Sequence, residues 1–250
     1  MKVSYNKYIL NFKQASGTSR GVLRKKETFF IEISDGVKYG IGECGLLRGL
    51  SFDDVPDFED QLKRVCRALE DGADVTSLCA DYPAIRMGVE MALKSFGADE
   101  PFHLFDTPFS KGTQSISING LVWMGSIDFM RQQVFDKIGE GYDCIKLKIG
   151  ALDFNLECQL LEEIRARYSS SVVTLRVDAN GAFKPEEALE KLERLSKYEL
   201  HSIEQPIAAG QFKFLKKLCV QTPIPIALDE ELIGVLNKAD KAAMLDEIQP

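Results

Sequence analysis

YDCIKLKIG, residues 142–150, is a short apolar segment that carries two lysines with a single residue between them. Side chains alternate across a strand, so Ile145, Leu147 and Ile149 share one face, while Cys144, Lys146 and Lys148 share the other. The segment reads as a buried strand with one fully aliphatic face, and two ammonium groups on its opposite face require an explanation. Beyond it, helical periodicity alternates with short apolar runs: LDFNLECQLLEEIRARY (152–168), VVTLRVDAN (172–180), PEEALEKLERLSKY (185–198), HSIEQP (201–206), QFKFLKKLCV (211–220), IPIALDEE (224–231) and IGVLNKADKAAMLDE (233–247). Before it, QSISINGLVW (114–123) reads as a strand and SIDFMRQQVFDKIGEG (126–141) as a helix. About five successive βα units predict an α/β protein with a parallel sheet and outer helices, either a (β/α) barrel or a doubly wound sheet. No GxGxxG or GxxxxGK[ST] motif follows the first strand, which weighs against the nucleotide-binding version.

The preceding part of the chain reads differently. NKYILNF (6–12) and ETFFIEISD (27–35) are rich in strand formers, and GVKYGIGEC (36–44) returns from a hairpin turned by Asp35 and Gly36. Helical stretches follow at 57–71 and 84–97, which makes an α+β lobe. The turn-rich, aromatic segment 101–113 is the expected crossing, so residues 1–110 form one domain and 111–250 a second.

A chain of 250 residues with 45% hydrophobic and 28% charged residues is long enough for a substantial core. No apolar run is long enough for a membrane span, and the first ten residues lack the apolar block of a secretory signal, so a cytoplasmic location is expected. The six cysteines form no CxxC pair, which suits reduced thiols. A net charge of -7 without a basic block argues against nucleic acid and anionic membrane as partners.

Parity brings further charges to the lysines' side of the sheet. Thr174, Arg176 and Asp178 share one face of their strand, Ser202 pairs with Glu204, and Ala227 with Asp229. Asp178, Glu204 and Asp229 stand 26 and 25 residues apart, one βα unit each, so successive strands each deliver one acid to the C-terminal end of the sheet, where barrels carry their chemistry. Clustered carboxylates repel unless a cation sits among them, and hard oxygen ligands that leave room for water and substrate suit Mg²⁺. A lysine beside a second ammonium and a divalent cation has its charged form disfavoured, which poises it as a base. Lys148, nearer the strand end, is the better candidate base, and Lys146 would face the substrate's carboxylate. The bland alternatives are solvated strand-end acids in surface ion pairs and an exposed edge strand for the two lysines.

KLKIG (146–150), RVDANGAF (176–183), IEQP (203–206) and ALDEE (227–231), in that order and spacing, resemble the enolase superfamily in its muconate-lactonizing subgroup. Sites of that superfamily pair a lysine or histidine base with magnesium that stabilises an ene-diolate. The resemblance implies an α+β capping domain followed by a barrel, with GIGECGLLRGLS (40–51) as a substrate-covering loop. It also implies that Asp178, Glu204 and Asp229 hold Mg²⁺, that Lys148 is the acid/base, and that Asn180 and Glu230 orient their neighbours. Within the subgroup, GECGLLRGLS (42–51) and SINGLVWMG (117–125) are similar to the branch that eliminates water from a succinyl-hydroxycyclohexadiene carboxylate in menaquinone biosynthesis. The implied partner is a small-molecule carboxylate substrate, with a homo-oligomer as a further expectation.

The resemblance also implies a second lysine on a sixth strand, and the sequence ends at LDEIQP (245–250), before that strand. About 80 residues and three strands of an eight-stranded barrel are then expected beyond it. Such a barrel is incomplete at the C-terminus, so its activity is in question. Racemase, dipeptide epimerase and cycloisomerase activities use the same metal set, and a Mg²⁺-binding remnant without turnover is a further alternative. His103, His201 and Trp123 read as structural rather than catalytic.

Overall fold

The computed structural model describes residues 1–18 and 21–250. Two compact units divide the chain, Met1–Ile116 and Ser117–Pro250.

In the first unit, β1 (Lys2–Thr18), β2 (Gly21–Ser34) and β3 (Tyr39–Cys44) form an antiparallel sheet in that order. The turn between β2 and β3 is held by the Asp35 carboxylate, which accepts from the amides of Val37 at 2.9 Å and Lys38 at 2.7 Å, while Gly36 takes φ +91°. Alternation places Phe29, Ile31 and Ile33 on a face with no exposure, packed with Phe58 and Leu62 of α1 (Phe58–Glu70) and Ile85 and Val89 of α2 (Pro83–Gly97). Each such side chain contributes about 1.5–3 kcal/mol by leaving water.

The second unit is a five-stranded parallel sheet in the order β4 (Gly120–Val122), β5 (Cys144–Lys148), β6 (Thr174–Asp178), β7 (Ser202–Glu204), β8 (Ile226–Ala227). Connecting these are α3 (Ile127–Gly139), α4 (Phe154–Arg167), α5 (Pro185–Leu195) and α6 (Phe212–Gln221), with α7 (Lys238–Ile248) after β8. Sequential parallel strands with helical crossovers are the expected architecture, an open portion of a (β/α) barrel. Ile145, Leu147, Val173, Leu175 and Val177 are at most 2% exposed and pack with Leu161, Ile164, Leu192 and Leu215 of the helices.

All five strands of this sheet and its last helix are shorter than the sequence reading, β4, β8 and the helix most informatively. The β4 register sets Gly120 opposite Ile145, so residues before Asn119 have no β5 backbone to pair with, and Ile116 and Ile118 are exposed. β8 keeps two residues because β7, its partner, ends at Glu204. The helix expected from residue 233 begins at Lys238, where Asn237 caps it by accepting from the amide of Asp240 at 2.7 Å. Trp123, expected in a core or pocket wall, is 43% exposed. All six cysteines are unpaired, and no described helix is long and apolar enough to cross a membrane.

Candidate active site

The parallel register aligns the charged residues in rows. Lys148 pairs with Asp178, and Asp178 with Glu204, so one row crosses β5, β6 and β7 at their C-terminal ends. Lys146 lies one pleat deeper, opposite Arg176. The aliphatic face of each strand is spent on the helices, which leaves these groups on the opposite face.

Asp178 has no exposure, and its carboxylate is satisfied from three sides. Lys148 Nζ donates to Oδ2 at 2.6 Å, Lys146 Nζ lies 3.1 Å from the same oxygen, and the Asn180 amide donates to Oδ1 at 3.0 Å. Burial opposes ionisation of Asp178, but the Lys148 hydrogen bond and the two ammonium charges outweigh it and lower its pKa. Lys146 also donates to Glu204 Oε2 and so bridges the two acids. Glu204 is held above the usual carboxylate range, first by burial and then by the Asp178 charge, against the pull of Lys146. Burial works against the charge of Lys146 as well, yet its bonds to Glu204 and Asp178 raise its pKa. The sequence reading favours Lys148 as the base and rests on a second ammonium and a divalent cation beside it; the shift of Lys146 has another cause, the two carboxylates it faces.

Asn180 continues the network. Its φ of +44° lies in the left-handed region that Asn tolerates, and its Oδ1 accepts from Lys148 Nζ at 3.0 Å while Nδ2 donates to Glu230 Oε1 at 3.1 Å. Glu230 Oε2 is buried with no partner. Lys146, Lys148, Asp178, Asn180, Glu204 and Glu230 are therefore linked. Asp229 is exposed, and its carboxylate takes part in none of these pairs. Among the described residues, no group of three His, Cys, Asp or Glu side chains stands close enough to hold a metal ion. His103 and His201 are exposed and lie outside the network.

The donor set nonetheless has the chemistry a hard divalent cation requires. Burial, and after it the charge of Asp178 on the neighbouring strand, raises Glu204, and a cation, the Lys146 ammonium, already lies between the two carboxylates. Asp229 follows β8, the strand beside β7, and is exposed.

Two buried polar residues of the second unit, Gln205 and Glu157, escaped the sequence reading. Gln205 follows Glu204, and strand parity assigns it to the far face, but the strand ends there and its backbone takes φ +39°. Glu157 is 3% exposed on α4, and its Oε1 accepts from the amides of Gly150 at 2.8 Å and Leu152 at 3.1 Å, closing the loop that follows Lys148. Only its helical spacing among apolar residues gave a signal.

Residues 130–247 match the family described as Enolase C-terminal domain-like. The chain is 40% identical to the o-succinylbenzoate synthase of Desulfotalea psychrophila, covering 100% of this chain and 76% of that protein. The crystal structure of MenC from the same organism superposes with a TM-score of 0.85 at 37% identity, over 100% of this chain and 76% of that one. The o-succinylbenzoate synthase of Thermosynechococcus elongatus, complexed with Mg in the active site, shares the fold at a TM-score of 0.78 and 21% identity, over 98% and 73%. A dipeptide epimerase of Cytophaga hutchinsonii, complexed with Mg and a dipeptide, shares it at 0.75 and 22%, over 99% and 68%. With full-length coverage at that identity, the chain belongs to the enolase superfamily, in its o-succinylbenzoate synthase family of carbon–oxygen lyases.

Proposed function

We propose that the row Lys148, Asp178, Glu204, together with Asp229, is the centre of a Mg²⁺-dependent dehydration that converts 2-succinyl-6-hydroxy-2,4-cyclohexadiene-1-carboxylate to o-succinylbenzoate. The observation that carries this reading is the alignment of a lysine and two acids across three adjacent strand ends, in a chain 40% identical to an o-succinylbenzoate synthase. Asp178, Glu204 and Asp229 would hold Mg²⁺, which when bound supplies a Lewis-acid site for the substrate carboxylate as negative charge develops there. Lys148, as the neutral amine, takes the proton α to that carboxylate. The same lysine then gives this proton to the departing hydroxide, so that water leaves and the lysine returns to its neutral form. Asn180 Oδ1 fixes the direction of the Lys148 amine, and Glu230 fixes Asn180. Lys146 keeps the pocket floor electropositive toward the substrate carboxylate. Residues 1–110 are assigned the role of a capping domain, and six unpaired cysteines suit an enzyme of the cytoplasm.

The test is ultraviolet-monitored o-succinylbenzoate formation with Mg²⁺, using this chain, a form extended to the full length of the Desulfotalea psychrophila relative, and Lys148→Ala in each. Turnover that falls by about 10²–10⁴-fold in Lys148→Ala, in a protein that still folds but melts at a lower temperature because buried Asp178 loses a partner, is the expected outcome. A folded extended form without product overturns the reading in favour of epimerase chemistry.

A further inference from the structure

We infer that Gln205 is a positioning residue that ties the three acid-bearing strand ends together and sets where Asp229 stands. This rests on the metal-site reading above. Gln205 has no exposure, and its left-handed backbone, φ +39°, is a strained conformation for a residue that is neither Gly nor Asn. Every polar atom it carries is engaged. Its amide donates to Ala227 O at 2.9 Å, on the strand that leads to Asp229, and its carbonyl accepts from Gly181 at 2.7 Å, in the turn after Asp178. The side-chain Oε1 accepts from two amides of the turn after β8, Asp229 at 3.2 Å and Glu231 at 3.1 Å. Nε2 donates to Ile207 O at 2.9 Å and reaches Glu231 Oε2 at 3.4 Å. One residue, adjacent to Glu204, thus makes hydrogen bonds to the segments that carry the other two acids.

The arrangement accounts for the strain. A residue continuing β7 in extended conformation would turn its carboxamide to the aliphatic face, away from the 229–231 turn. With the left-handed backbone, the side chain lies under that turn and supplies the acceptor for two amides, of Asp229 and Glu231, at a part-buried place. Asp229 has a free carboxylate on a fixed backbone, which is the condition for a ligand that must swing onto a cation without dragging its loop.

Amide hydrogen exchange and calorimetric titration with Mg²⁺ alone, on the 250-residue chain, test this. In the wild type the Asp229 and Glu231 amides are expected to be protected relative to exposed loop amides. Gln205→Leu removes that protection locally, leaves the β5 and β6 amides unchanged, and weakens Mg²⁺ binding by about 10–100-fold. Gln205→Glu keeps the accepting oxygen and is expected to retain protection at both amides. Fast exchange of these two amides in the wild type overturns the inference without any variant, as does unchanged protection and Mg²⁺ affinity in a folded Gln205→Leu. A wild type that shows the protection but binds no Mg²⁺ contradicts the metal-site reading and leaves the strut itself standing.

Discussion

Asp178 and Lys148 face each other because their strands pair in register, and the same pairing that buries the carboxylate supplies the ammonium that keeps it charged. A buried carboxylate without such a partner is shifted the other way, and Glu157 illustrates the contrast. Its Oε2 is buried with no partner, and burial raises its pKa against the pull of three loop amides. Because the folded state holds this proton more tightly than the unfolded chain, the contribution of Glu157 to stability is fully present below the ordinary glutamate pKa. It is lost as the pH rises through the raised folded value. In Glu157→Gln the group cannot ionise, so over the pH range above the ordinary glutamate pKa the stability difference should move in favour of the variant as pH rises. Urea unfolding across that range checks this, and a difference independent of pH would contradict it. At this scale the shared face of the two lysines, Asp178 and Glu204 was legible because alternation is a property of the strand itself, whereas Asp229 lies beyond the end of β8 and joins none of their pairs. Gln205 was not, since its direction depends on a backbone reversal that begins where the strand ends.

The elements follow the same division. Helices α1 to α6 and the β2–β3 hairpin were legible from period and turn residues, whereas the ends of β4 and β8 were not, because a strand stops where its neighbour stops offering backbone groups. The packing of α2 on β3 is another feature that period alone does not reveal. A Cβ on Gly42 would overlap the Gly88 carbonyl and lie 2.6 Å from Ala92 N, and one on Gly88 would meet Cys44 Sγ, so the helix and strand touch backbone to backbone. Gly42→Ala is therefore expected to destabilise the first unit by about 1–3 kcal/mol or more, measured by denaturant unfolding. A change smaller than about 0.5 kcal/mol would mean that the helix can lift from the strand at little cost.

For the whole molecule, the order β4 to β8 leaves an outer edge on each of the two terminal strands of the parallel sheet. Parallel sheets of this kind are otherwise covered or closed, and an unpaired edge is a template for another chain. The 250-residue chain, which spans 76% of the length of its Desulfotalea psychrophila relative, is accordingly expected to self-associate with rising concentration in sedimentation velocity. A single monomeric boundary at all concentrations would contradict this. The central claim is that three strand-end acids hold one divalent cation beside Lys148. Anomalous diffraction from a crystal soaked in Mn²⁺, a hard cation suited to the same oxygen ligands as Mg²⁺, tests it most directly. One strong peak bonded by Asp178, Glu204 and Asp229 is expected, with Lys146 displaced from its bridge between the first two. No peak there, or a metal bound at other acids with the Lys146 bridge intact, would contradict it.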